Sequence, residues 1–203
     1  MRINTFTALM DIHSRWPSEC GKIIQSLLAI SFGPPRGGFV VENRISEGID
    51  LELSDPQKFA IEVKTTESNT VVLSEKDISG LRAKFKNDGY IPAVAALRLQ
   101  LSADWVISSA RNLDGRDLRL CAEAYTCERL ALNPIQELQE IAQREFETTV
   151  AELRDGVLSP PNGSPLDYLR HVLQMENAKP AADIGKAVGH ASTALEFTSK
   201  LFS

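Results

Sequence analysis

Two acids and a lysine are spaced to work on a phosphate. Gly48-Ile49-Asp50-Leu51-Glu52-Leu53 and Phe59-Ala60-Ile61-Glu62-Val63-Lys64 each alternate apolar and polar residues, the period-2 pattern of strands. Asp55 and Pro56 supply the turn between them, so the two stretches form a hairpin. In the first strand Ile49, Leu51 and Leu53 face one way and Asp50 and Glu52 the other. In the second, Phe59, Ile61 and Val63 face the core, while Ala60, Glu62 and Lys64 point outward together. A hairpin of this register sets Asp50, Glu62 and Lys64 on one surface. Two carboxylates on rigid strands are hard oxygen donors suited to Mg²⁺, which keeps several waters and takes one or two protein carboxylates. A lysine two residues further on can orient a water, or stabilise charge gathering on a phosphate. The expected chemistry is metal-assisted hydrolysis of a phosphodiester. The plain alternative is an exposed strand face with a cross-strand acid–lysine pair.

The order of these residues resembles the PD-(D/E)xK nuclease superfamily, and within it the archaeal Holliday-junction resolvase branch. An acid-bearing helix comes first, then Asp50, then Glu62-Val63-Lys64, then Thr65-Thr66 and a second helix. The resemblance implies an α/β fold with a restriction-endonuclease-like core in the order αβββαβ, a mixed central sheet flanked by helices. It also implies DNA as partner and Mg²⁺, with Mn²⁺ as substitute, as cofactor. Asp50 matches the motif aspartate, Glu62 the second acid, Lys64 the lysine, and Glu19 the acid on the first helix; the motif's proline position holds Ile49. By this resemblance Asp50, Glu62 and the backbone carbonyl of Val63 hold the metal, and Lys64 orients the attacking water. Glu19 acts on the metal through water or positions the nucleophile. A homodimer is expected, because cutting two strands needs two sites related by symmetry.

The flanking elements must deliver these side chains. Residues 1–13 show no clear pattern. After Pro17, the apolar residues Cys20, Ile23, Ile24, Leu27 and Leu28 recur at helical spacing. Glu19 shares a stripe with Ile23 and Leu27, near the helix start, where an acid also suits the helix dipole. Gly33 to Gly38 is a breaker-rich loop, and Phe39 to Arg44 reads as a strand. Ser74 followed by Asp77 opens a helix through a cap, and Ile78, Leu81 and Phe85 form its apolar stripe. Lys76, Arg82, Lys84 and Lys86 make that helix basic, which suits phosphate contact or a solvated face. Ile91 to Leu101 and Asp104 to Ser108 read as strands.

A shift in composition near Arg111 divides the chain into a nuclease-like domain, 1–110, and an all-helical region, 111–203. In the latter, Leu118 to Leu132, a long amphipathic stretch from Ile135 to Leu153, Leu166 to Met175 and Ala181 to Leu201 read as helices. The long helix carries Glu137, Glu140, Glu145, Glu147 and Glu152 outward, a face that repels DNA and suits a protein partner. A rival reading follows: a catalytically silent nuclease fold that docks a partner through its helical half. A third is an α/β protein whose Glu62-Val63-Lys64 is accidental.

Composition bounds these readings. The chain has 203 residues and a net charge of −5, so no strongly basic patch argues for nucleic acid by itself. Cys20, Cys121 and Cys127 make an odd number without a paired motif, against a disulfide framework or a zinc site. The N-terminus lacks a signal-peptide pattern and no run of about 18 apolar residues occurs, so a cytoplasmic protein without a membrane span is expected. His13, His171 and His190 carry no pattern that assigns them to chemistry.

Overall fold

The computed structural model describes residues 3–34, 36–43, 48–99 and 103–177. Helices α1 (Ile3–Arg15) and α2 (Pro17–Phe32) lead into strands β1 (Val41–Asn43), β2 (Leu51–Leu53) and β3 (Phe59–Thr66). Strand β4 (Thr70–Val72), helix α3 (Glu75–Asp88), and strands β5 (Ile91–Leu99) and β6 (Ala103–Ser109) follow. The chain continues through β7 (Ala124–Thr126), α4 (Cys127–Leu130), α5 (Gln136–Arg154) and α6 (Pro165–Asn177). The expected Ala181–Leu201 helix lies outside the described residues.

Local chemistry sets the helix ends. Pro17 opens α2, where the first N–H needs no partner, and the Gly33 N–H closes it on Ala29 and Ile30. In α3 the Ser74 hydroxyl accepts from the Asp77 N–H while the Asp77 carboxylate accepts from the Ser74 N–H, a reciprocal cap. Gly89, at φ 70°, ends the helix in the left-handed conformation that glycine adopts without strain.

The main sheet runs β1-β2-β3-β5-β6. Its first three strands are antiparallel, β3 and β5 are parallel, and β6 returns antiparallel to β5. The parallel pair needs a crossover, and α3 provides it. This is a mixed α/β architecture; the expected helix–three strands–helix–strand order holds for the elements of the main sheet, with β4 of a small second sheet inserted before α3.

Both faces of the sheet are covered. On one, Leu51, Leu53, Phe59, Ile61, Ala93 and Ala95 meet α1, α2, α5 and α6 in a single apolar core. On the other, Ala60, Val94, Ala96 and Val106 meet Ile78 and Leu81 of α3, with Val71 and Tyr125 of the small β4–β7 sheet. The outward face expected for β3 is therefore not a solvent face: Ala60 is fully buried and Glu62 is only 6% exposed. Alternation reports which side a residue takes, and here α3 covers that side.

Three other expectations are corrected. Residues 3–15 form α1, whose Ala8, Leu9 and Ile12 are buried. Leu118 to Leu132 is not one helix: Tyr125 pairs with Val71 in β7, and only Cys127–Leu130 coil. Among the described residues, the part of the chain after residue 110 is thus neither all helical nor separate from the core. Leu138, Ile141, Phe146 and Leu153 of α5 and Leu169 and Leu173 of α6 belong to the same core as α2 and β3. Trp105 and Phe146 meet edge to face at 5.4 Å. The side-chain oxygens of Gln143 and Gln139 accept the N–H groups of Trp105 and Ile107 at 3.0 and 3.1 Å. Arg36 bonds to Thr149 and Glu152 of α5 from the loop after α2.

Candidate active site at the end of the β2–β3 hairpin

The register of the hairpin decides which side chains meet. Leu51 pairs with Ile61 and Leu53 with Phe59, so continuing the ladder sets Asp50 opposite Glu62. Asp50 lies just past the end of β2, and its Oδ2 accepts the Val63 N–H at 2.8 Å where a backbone carbonyl would otherwise do so. From α2, the Gln25 amide donates to the Asp50 carbonyl at 2.6 Å and fixes the backbone there. Lys64 follows on β3. Its Nζ lies 2.8 Å from Glu62 Oε1 and 2.8 Å from Asp77 Oδ2 at the start of α3.

The chain approaches itself closely at this point. A methyl group on Gly80 would stand 1.9 Å from the Gly48 carbonyl oxygen, so α3 lies backbone to backbone against the segment leading into Asp50. Gly48 has φ 106°, a conformation that side-chain-bearing residues rarely adopt. Those two glycines set the spacing between the first turn of α3 and the end of β2.

Burial and mutual repulsion shape the charges. Burial pushes the Glu62 carboxyl up to about 8, with the Asp50 charge adding to the rise and Lys64 opposing it. Asp50 is also raised by burial, against the pull of the Val63 N–H and Lys64. Burial works against the Lys64 ammonium, but Glu62 and Asp77 outweigh it, and the proton is held more tightly than usual. Burial would raise Asp77 as well, yet its bonds to Lys64 and Ser74 leave it below the usual carboxylate range. Asp77 is thus the settled counter-ion of Lys64, while Asp50 and Glu62 form a pair that resists being doubly ionised.

That pair fits a hard divalent cation, whose charge would relieve the repulsion. Among the described residues no three His, Cys, Asp or Glu side chains gather to hold a metal. The site offers two carboxylates, the number used by an ion that retains its waters. The Val63 N–H points to the β2 side, and a strand residue directs its carbonyl to the same side, beside Asp50.

The remaining candidates fall elsewhere. Glu19 is half-buried in the first turn of α2, on the layer across the sheet from Lys64; among the described residues it makes no hydrogen bond or ion pair with the cluster. It does sit at the same end of β3. Its neighbour Cys20, whose thiol is pushed up to about 12 by burial, feels the charge of Glu67 just past that strand. Glu67 in turn bonds His13 of α1 at 2.9 Å. Lys76, Arg82 and Lys86 are exposed on α3. Lys84 is tied down, 2.9 Å from Glu52 and 3.1 Å from Asp88. Asp77 and Gln25 were not anticipated as site residues: Asp77 reads in sequence only as a cap, and nothing local marks Gln25.

Among the described residues no helix is long and apolar enough to cross a membrane. No family model matches the sequence, and no curated protein does. The chain is similar to the solved structure of Hjc, a Holliday junction resolvase of the archaeal hyperthermophile Archaeoglobus fulgidus. The identity is 18%, over 51% of this chain and 83% of that chain, with a TM-score of 0.39.

Proposed function

We propose that the protein is a Mg²⁺-dependent DNA endonuclease, resolvase-like or restriction-like, that hydrolyses phosphodiester bonds at the end of the β2–β3 hairpin. One observation carries this reading. Two carboxylates taken largely out of water, the half-buried Asp50 and the buried Glu62, face each other across the continued register, with the Lys64 ammonium 2.8 Å from Glu62. A strand face serving only stability gains little from burying two repelling acids.

In this reading Asp50, Glu62 and the Val63 carbonyl hold the cation. Bound there, Mg²⁺ supplies positive charge to the scissile phosphate and eases deprotonation of water. Lys64 orients the attacking water and offsets negative charge as the phosphorus–oxygen bond is made. Asp50 also keeps the Val63 N–H bonded, which fixes the strand edge. Glu19 acts as an outer acid, reaching the site through water from the first turn of α2. Lys76, Arg82 and Lys86 meet the DNA backbone. A homodimer would present two such sites to two strands.

The test is cleavage of plasmid DNA and synthetic four-way junctions with Mg²⁺ or Mn²⁺, alongside calorimetric metal binding. Metal-dependent cleavage is the expected result, and the substrate preferred separates junction, specific-duplex and nicked-DNA readings. Absence of both cleavage and metal binding would assign the fold to the silent, partner-docking role.

A further inference from the structure

Lys64 is held from two sides, and one of its partners is free of any duty to a metal. Glu62 lies beside it on β3 and is needed by the cation in the reading above. Asp77 comes from a different element, α3, and lies 2.8 Å from the ammonium. Its Oδ2 also accepts the Ser74 N–H at 2.8 Å. A helix cap requires only the second of these bonds; the first has no part in capping.

We propose that Asp77 is a positioning residue for Lys64, holding the ammonium in place when Glu62 turns to the cation. The inference rests on the nuclease reading of the hairpin site and extends it to α3. The geometry makes Asp77 a stiff anchor. Its backbone N–H is pinned by the Ser74 hydroxyl at 3.2 Å, and its carboxylate by the Ser74 N–H. The helix bearing it is seated by the approach of Gly80 to Gly48, two residues before Asp50. The side chain of Asp77 is 13% exposed, so water screens the pair weakly. Without this anchor Lys64 would follow Glu62 toward the metal or swing to solvent, and no group would orient the water.

Three variants of the full chain separate positioning from capping. Asp77→Asn keeps an acceptor for the Ser74 N–H but loses the charge facing Lys64. Asp77→Glu keeps the carboxylate, in the residue type that reciprocal caps favour. Ser74→Ala removes the hydroxyl that accepts the Asp77 N–H, half of the reciprocal cap, and leaves both the Ser74 N–H bond to the carboxylate and the Asp77–Lys64 pair. Four readouts apply: kcat and KM for DNA cleavage, calorimetric Mn²⁺ affinity, melting temperature, and exchange of the ¹⁵N-labelled Lys64 ammonium protons by NMR. Asp77→Asn is expected to lower kcat by about 10- to 100-fold, the range for a partner that orients an active group. Its KM, Mn²⁺ affinity and melting temperature should stay near wild type, and Lys64 proton exchange should quicken. Asp77→Glu should restore most of kcat, and Ser74→Ala should melt lower while losing far less kcat than Asp77→Asn. Wild-type kcat in Asp77→Asn, or an equal fall in kcat for Ser74→Ala, would overturn the proposal. If the wild-type protein cleaves no DNA, the nuclease reading fails on its own. The Lys64 exchange rate then decides alone, and unchanged exchange in Asp77→Asn would reject the anchor.

Discussion

The N–H of Val63 donates to Oδ2 of Asp50 at 2.8 Å, one residue past the last backbone pair of β2 and β3. A single carboxylate thus finishes the ladder and faces Glu62. Asparagine at position 50 keeps an acceptor for that N–H but is a poor ligand for a hard cation. Asp50→Asn should reduce cleavage to background while the protein unfolds within about 1 kcal/mol of wild type. Asp50→Ala should also be inactive, with an unpaired N–H costing about 1–3 kcal/mol and relief of the buried charge opposing that loss. Gel cleavage assays and urea titrations check both.

Stability should respond to pH in a direction that identifies Glu62. Its carboxyl is raised from 4.5 to about 8 in the folded, metal-free protein. Between those values the folded state holds a proton that the unfolded chain has released, so stability falls as pH rises through this window. Urea midpoints measured at pH 5.5 and 8.5 should therefore decline. Mg²⁺ should oppose the decline at the upper pH, and Glu62→Gln should flatten it in the absence of metal.

The basic residues of α3 divide by what they touch. Lys84 serves Glu52, which is 4% exposed and keeps a bond to Tyr90, so Lys84→Ala should destabilise the fold by about 1–3 kcal/mol. It should leave the salt dependence of DNA binding unchanged. Arg82→Ala and Lys86→Ala should each weaken binding across sequences and lower the slope of log K against log salt by about one. Fluorescence anisotropy at several salt concentrations distinguishes the two groups.

Gly80→Ala offers a test in which propensity and packing oppose one another. In an exposed helix interior the change would stabilise by about 1 kcal/mol. Here the new methyl group would stand 1.9 Å from a backbone oxygen of Gly48, which cannot rotate aside. Packing should win: a loss of about 2 kcal/mol or more, with reduced cleavage because the first turn of α3 moves away from Lys64. Thermal melts and cleavage rates measured together check this.

A chain ending at residue 110 should not fold. It would lose Leu138, Phe146, Leu153 and Leu169, and expose α2 and one face of the sheet. Circular dichroism of residues 1–110 should show no cooperative melt, while the full chain should show one.

The hairpin was readable because alternation and an Asp-Pro turn are local signals, and the α3 cap because Ser74 and Asp77 are three apart. Burial of Glu62 was not, since periodicity cannot say that α3 covers the second face. The helix expected over Leu118–Leu132 failed because Tyr125 pairs with a strand more than fifty residues away, a long-range term that overrides local preference. Asp77 was visible only in its lesser role, because a capping acid looks the same whether or not a lysine reaches it. Glu19 reads as a helical residue and lies on α2, but that α2 packs on the face of the sheet away from Lys64 is a property of layer packing, which spacing along the chain does not carry.

The clasp of Gln139 and Gln143 on Trp105 and Ile107 has a consequence for assembly. With those two main-chain donors occupied, the outer border of β6 cannot recruit a neighbouring strand from a second molecule. Sheet extension across that border is closed, so a two-fold pair of these chains would have to join through other surfaces.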